Sequence, residues 1–184
     1  PALCLGVADI SLYEMVAAYS TFPNKGVQTT PLFIDRIEDA HGNIIEDFYP
    51  QRTKALDEET AYVMTQMLRG VVDGGTGHRN RFKYGIPYSL ELGGKTGTTQ
   101  NNSDGWFMGF SSGIATGVWM GRDDAKRVAG LQGGRAPARA FAAYMRYAVK
   151  DRPVEEFDTE LQLPEWQLEP DDEFYFGDPE EYYY

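Results

Sequence analysis

Three features of the chain predict an α+β fold, with helices packed on an antiparallel sheet. Apolar residues recur at helical spacing in three separate segments. Between the second and third of these lie three strand-like runs, about residues 90–98, 105–111 and 115–121. The links between the runs, residues 100–104 and 112–113, are too short for a crossover, so neighbouring strands run antiparallel.

Each element has a local cause. Ser11-Leu12-Tyr13-Glu14 has the form of a capping box, in which a hydroxyl and a carboxylate satisfy open backbone donors. Leu12, Met15, Val16 and Tyr19 follow at helical spacing, and Pro23 and Gly26 stop the segment, which predicts a helix over about 11–20. Two β-branched and aromatic runs, 32–37 and 43–48, flank His41-Gly42 and predict a hairpin. Asp57 caps a second helix, with Glu58 and Glu59 at its positive end. Ala61, Met64, Leu68 and Val71 form its expected buried stripe, and Gly74-Gly75-Thr76-Gly77 ends it.

A loop carrying His78, Arg79, Arg81 and Lys83 leads to the strand region. Its cations are expected on a solvated surface, with the border of an anion-receiving groove as the second reading. Residues 100–104 are rich in side chains that bond their own backbone, as a tight turn requires. Pro137 opens the third helix, and Ala138, Phe141, Met145 and Val149 line one face of it.

Charge divides the chain. The net charge is -11, yet residues 151–184 hold thirteen of the 28 acids and one of the 17 bases. The expected organisation is therefore a nearly neutral body over 1–150 and an acidic tail over 151–184. From Asp158 the tail loses periodicity, and such composition predicts disorder. A body without basic excess excludes a nucleic-acid binder. No apolar run is long enough to span a bilayer. Cys4 stands alone, so no internal disulfide forms, and its apolar context predicts a small core residue. The first residue is Pro1 and the first several are apolar, which reads as the interior of a longer protein.

The chemistry concentrates at Gly93-Gly94-Lys95-Thr96-Gly97-Thr98-Thr99. A phosphate-binding loop is excluded. Ser89 occupies the position where that motif needs glycine, and no helix pattern follows. Gly109-Phe110-Ser111-Ser112-Gly113 matches a nucleophile elbow in letters only, because a strand follows the serine and both histidines precede it. His41, His78 and Cys4 are too scattered to bind a metal. No cofactor motif is present. Lys95-Thr96-Gly97 reads as an edge-strand substrate rail. Glycines at 94 and 97 let another backbone approach, Lys95 supplies a cation, and Thr96 and Thr98 alternate onto one face where two hydroxyls can hold a carboxylate.

Residues 94–99, followed by Asp104-Gly105-Trp106-Phe107-Met108-Gly109-Phe110, resemble the third motif and next strand of penicillin-binding proteins, more narrowly the bifunctional class A type. Leu5-Gly6-Val7-Ala8, Leu12-Tyr13-Glu14-Met15-Val16-Ala17-Ala18-Tyr19, Asn24-Lys25-Gly26 and Gly70-Val71-Val72-Asp73-Gly74-Gly75-Thr76-Gly77 fit the same family in order. The likeness covers about residues 1–150.

That family transfers acyl groups through a serine ester, using Ser-x-x-Lys, Ser-x-Asn and Lys-Thr-Gly. Serines stand at 11, 20, 89, 103, 111 and 112; none has lysine three residues on or asparagine two residues on. The resemblance therefore implies the C-terminal part of a transpeptidase domain, inactive alone. A missing N-terminal part would supply the nucleophile, a glycosyltransferase domain and the membrane anchor. It further implies that Lys95 tunes the proton network and positions substrate. Thr96 and Thr98, with Gly97 between them, would bind the carboxylate of a peptidoglycan stem peptide or a β-lactam. The Thr98 N–H would form half of an oxyanion hole. The implied setting is the bacterial cell envelope, outside the cytoplasmic membrane. A D,D-carboxypeptidase, a β-lactamase-type hydrolase and a non-catalytic carboxylate-binding module remain as alternatives.

Overall fold

The computed structural model describes residues 8–153 and 156–157. Cys4, the apolar opening and the tail from Asp158 lie outside the described residues. Helix α1 spans Leu12–Ser20. Ser11 caps it as expected: its hydroxyl accepts the Glu14 N–H at 3.3 Å, and the Glu14 carboxylate accepts the Ser11 N–H at 2.9 Å.

Four short strands follow: β1 (Val27–Thr29), β2 (Arg36–Glu38), β3 (Ile44–Asp47) and β4 (Arg52–Lys54). The hairpin expected around His41-Gly42 is β2–β3, antiparallel, with an irregularity between Ile37 and Glu38. Gly42 takes φ +83° in its turn, a conformation that costs glycine little. Asp39 anchors the turn by accepting the N–H groups of His41 and Asn43 and the Asn43 side-chain amide. Strand β1 pairs with β4, closing a small ribbon around the hairpin.

Helix α2 spans Glu58–Asp73, and the Asp57 carboxylate accepts the Thr60 N–H at 2.7 Å and its hydroxyl at 2.8 Å. Its buried residues are Ala61, Thr65, Leu68 and Val72, so the inward face is turned slightly from the expected one. Met64 and Val71 sit half-buried at its flank. Thr65 is tolerated inside because its hydroxyl donates to the Ala61 carbonyl at 2.8 Å. Gly74 ends the helix. A four-residue helix, α3 (Arg79–Phe82), stands where a plain loop was expected.

Strands β5 (Gly93–Thr98), β6 (Asp104–Phe110) and β7 (Ala115–Gly121) form an antiparallel sheet in the order β5-β6-β7. Helix α4 (Ala136–Ala148), with Pro137 in its first turn, packs on one face of this sheet. Phe107 of β6 meets Phe141 of α4 with ring centroids 4.6 Å apart, and both rings are fully buried. Val72, Ile86, Leu90, Leu92, Ala138, Ala142 and Met145 complete that core. Burying one of the larger of these side chains, such as Phe107 or Leu92, stabilises the fold by about 1.5–3 kcal/mol. On the opposite face Phe110 gathers Leu68, Tyr19, Phe22 and Phe157. The expected α+β layer, with helices on an antiparallel sheet, is the observed one.

Phe157 lies beyond the expected end of the body at residue 150, yet it is buried. Its ring stands edge-on to Phe110, under the Arg69 guanidinium, and its N–H donates to the Glu91 carboxylate. Glu91 also pairs with Arg69 at 2.7 Å.

Candidate functional site

Strand β5 lies at the edge of its sheet, with β6 on one side and no strand on the other among the described residues. The register decides which backbone groups face that free edge. Ser111 donates its N–H to the Ile114 carbonyl at the β6–β7 turn, so the odd residues of β6 bond toward β7. The even residues of β6 then bond toward β5, where Asp104, Trp106 and Met108 face Thr99, Gly97 and Lys95. The Thr99 N–H donates to the Asp104 carbonyl at 3.1 Å, which fits the same phase. The N–H and C=O groups of Gly94, Thr96 and Thr98 point away from β6; Gly94 is buried where α2 packs against β5, so the open stretch of the edge is the one at Thr96 and Thr98.

The side chains complete the arrangement. Lys95 is exposed, and its ammonium donates to the Thr96 carbonyl at 2.8 Å, on that same edge. It forms no ion pair among the described residues. Thr96 and Thr98 project together toward the α4 face. The Thr96 hydroxyl lies 2.9 Å from the hydroxyl of Thr76, which follows the end of α2. The Thr98 hydroxyl accepts the backbone N–H of Gly133 at 2.9 Å.

Gly133 can come this close because it has no side chain. A Cβ there would lie 2.3 Å from the Trp106 carbonyl oxygen and 2.4 Å from that of Gly97. The segment before it is held in turn by the β5–β6 link. Asn102 donates its amide to the Leu131 carbonyl at 2.7 Å, and its own carbonyl accepts the Val128 N–H at 3.1 Å. Asn102 itself takes φ +58°, a conformation asparagine tolerates better than most residues. Thr76 and Gly133 were not singled out from sequence. Their signals were a threonine isolated among glycines and a glycine pair just before a helix.

Together these groups offer two things to an extended ligand. The open backbone edge can pair with a peptide, and the ammonium with two oriented hydroxyls can receive an anion.

Other candidates resolve differently. Arg81 is buried rather than solvated: its guanidinium pairs with Asp73 at 2.8 Å and donates to the carbonyls of Pro87 and Leu90 at 2.6 and 2.9 Å. Five fixed donors make arginine able to tie three acceptors at once, so a cation expected on the surface serves as an internal strut. His78 meets the Tyr88 hydroxyl at 2.9 Å, and His41 is exposed in its turn. Ser111 is buried where a strand reverses, with no helix after it. Among the described residues no group of His, Cys, Asp or Glu side chains could hold a metal ion. A cleft of about 630 Å³ lies between the C-terminal end of α4 and the β6–β7 turn, lined by Ser89, Arg146, Lys150 and Arg152 among others. None of its lining residues belongs to β5, so it is separate from the rail.

An α+β layer whose edge strand reads Gly-Lys-Thr-Gly-Thr defines a recognisable class. Residues 2–145 match the family model for the penicillin binding protein transpeptidase domain, and the chain belongs to that family. Among curated relatives it is 35% identical over 158 residues to penicillin-binding protein 1A of Aquifex aeolicus, covering 85% of this chain and 21% of that protein. It is 30% identical over 164 residues to penicillin-binding protein 1B of Vibrio cholerae, covering 89% of this chain and 20% of that protein. The chain thus spans about a fifth of the length of these relatives.

The crystal structure of penicillin-binding protein 1A from Haemophilus influenzae superposes with a TM-score of 0.78 at 27% identity, over 89% of this chain and 29% of that one. PonA1 from Mycobacterium tuberculosis gives 0.73 at 22% identity, over 85% and 43%, a likeness of fold. The resemblance to the class A type transpeptidase region is borne out by these relatives. No helix among the described residues is long and apolar enough to cross a membrane.

Proposed function

We propose that this chain supplies the Lys-Thr-Gly wall of a peptidoglycan D,D-transpeptidase, which cross-links stem peptides through an acyl-serine intermediate. The open edge of β5 carries this reading: the backbone groups of Thr96 and Thr98 leave it beside the Lys95 ammonium. A donor peptide lies along that edge. Its terminal carboxylate is held by the Thr96 and Thr98 hydroxyls with help from Lys95. The scissile carbonyl oxygen points to the Thr98 N–H, which provides one of two oxyanion donors.

Removing one such donor typically costs about 10²–10³ in rate. Lys95 holds a fixed positive charge near the nucleophile and favours its deprotonated form during attack. The serine that attacks, its lysine partner and the second motif come from a segment this chain does not contain, as do the glycosyltransferase domain and the membrane anchor. Without the nucleophile there is no covalent route, so this chain alone is inactive. The site faces the outside of the cytoplasmic membrane, where its substrate lies.

The test is covalent labelling with a fluorescent penicillin. The complete gene product acquires an adduct stable to denaturation, and residues 1–184 alone acquire none. Absence of an adduct on the complete product removes the enzyme reading.

A further inference from the structure

We infer that Thr76 and the backbone of Gly133 are positioning groups that set the proton directions of the Thr96 and Thr98 hydroxyls for an incoming carboxylate. The inference rests on the carboxylate role proposed above for those two threonines. A hydroxyl has one proton to give and two lone pairs to accept with. A backbone N–H only donates. Because Gly133 donates to the Thr98 oxygen at 2.9 Å, one lone pair there is used and the Thr98 proton is left to point elsewhere. The Thr98 hydroxyl is thereby biased toward donating to an anion.

The Thr76–Thr96 pair is symmetric by itself, since either oxygen, 2.9 Å from the other, can donate. An arriving carboxylate breaks that symmetry. It accepts the Thr96 proton, and Thr96 then accepts from Thr76. The result is a relay Thr76→Thr96→carboxylate in which each bond polarises the next. The geometry is built in from two independent directions. Thr76 sits just past the Gly74 cap of α2, and Gly133 is pressed onto Gly97 and Trp106 by a backbone approach that no side chain would allow. Gly134 continues the contact: a Cβ at that position would lie 3.1 Å from the Thr76 carbonyl oxygen and 3.6 Å from the Thr96 methyl. The Gly133-Gly134 segment therefore runs close beside both Thr76 and Thr96.

The experiment uses the complete gene product and two probes, benzylpenicillin and its methyl ester, which lacks the anion. The readout is the ratio of the two acylation rates. Thr76→Val keeps the shape and removes the hydroxyl; it lowers the acid-to-ester ratio about three- to ten-fold, the range expected for one hydrogen bond. Thr76→Ser restores the ratio. Gly133→Ala, which displaces the donor to Thr98, lowers the ratio as well. A purely structural role would slow both probes together and leave the ratio unchanged. Thr76 is exposed, so the valine variant retains the fold. A ratio unchanged in Thr76→Val but lowered in Thr98→Val overturns this inference and leaves the proposed function standing. No acylation of the wild-type product overturns the proposed function and this inference with it.

Discussion

Thr96 stands directly across the β5–β6 ladder from Phe107, and paired residues of an antiparallel ladder leave the sheet on the same face. One row of side chains thus runs from the hydroxyls at the open edge to the aromatic centre of the core. The position of the edge depends on how well that centre is packed.

Phe141 closes the centre from α4. Phe141→Ala is expected to lower the unfolding free energy by about 3–5 kcal/mol, as for other buried aromatic truncations. Chemical denaturation of the full-length protein measures this. Amide exchange at Lys95 and Gly97, whose N–H groups bond toward β6, is expected to quicken in the same variant, because β6 loses the ring that Phe107 leans on.

Arg81 ties the end of α2 to the approach to β5. Arg81→Met strands the buried Leu90 carbonyl, at a cost of about 1–3 kcal/mol, and releases the part-buried Pro87 carbonyl and the Asp73 carboxylate, which is exposed enough for water to take the place of the guanidinium. Arg81→Lys does not restore stability, since one ammonium cannot reproduce a planar fork. Limited proteolysis within residues 83–92 reports the loosening, and it is expected to rise in both variants.

Phe157 carries the buried core past residue 150. Truncation after Asp158 is expected to leave the melting temperature of the complete protein nearly unchanged. Truncation after Pro153 removes the ring from its contacts with Phe110 and Arg69 and lowers it clearly. Equal melting temperatures for the two truncations would show that the Phe157 contact contributes nothing.

Asp57 supplies a pH dependence with a defined sign. The Thr60 N–H, then the Thr60 hydroxyl, hold its carboxyl below the usual carboxylate range. A group depressed in the folded state stabilises above its unfolded value, about pH 3.9, and loses that contribution as pH falls through the folded value. The melting-temperature difference between wild type and Asp57→Ala is therefore expected to be flat from pH 7 to about 5. It is expected to shrink toward zero in more acidic buffer. A difference that grows on acidification would contradict the cap.

Much of this fold is legible in the chain because local rules and the global structure agree. The Ser11–Glu14 box, the Asp57 cap, the Gly42 turn and the Pro137 start are local instructions, and the structure carries each one out. The β1–β4 ribbon is not legible: its strands are three residues each, and they pair across the whole intervening hairpin. The inward face of α2 differs from the expected stripe because a hydroxyl satisfied by its own helix can be buried like an apolar group. Arg81 illustrates the same gap, since a residue letter does not say which carbonyls will surround a cation. At the site, the Lys95–Thr98 pattern shows in the sequence, but Thr76 and Gly133 reach it from 19 and 38 positions away from Lys95 only through the fold.

The open side of β5 has a second consequence, for the life of the protein before and between encounters with ligand. A strand edge with backbone donors and acceptors still unpaired by any neighbouring strand, as at Thr96 and Thr98, is a template for any extended chain, including another copy of itself. Self-association centred on Lys95 would bring two ammonium groups into opposition across a new ladder. A single charge in the middle of the strand thus acts as a gatekeeper against fibrillar stacking, while leaving the edge free for a partner that arrives with a negative end.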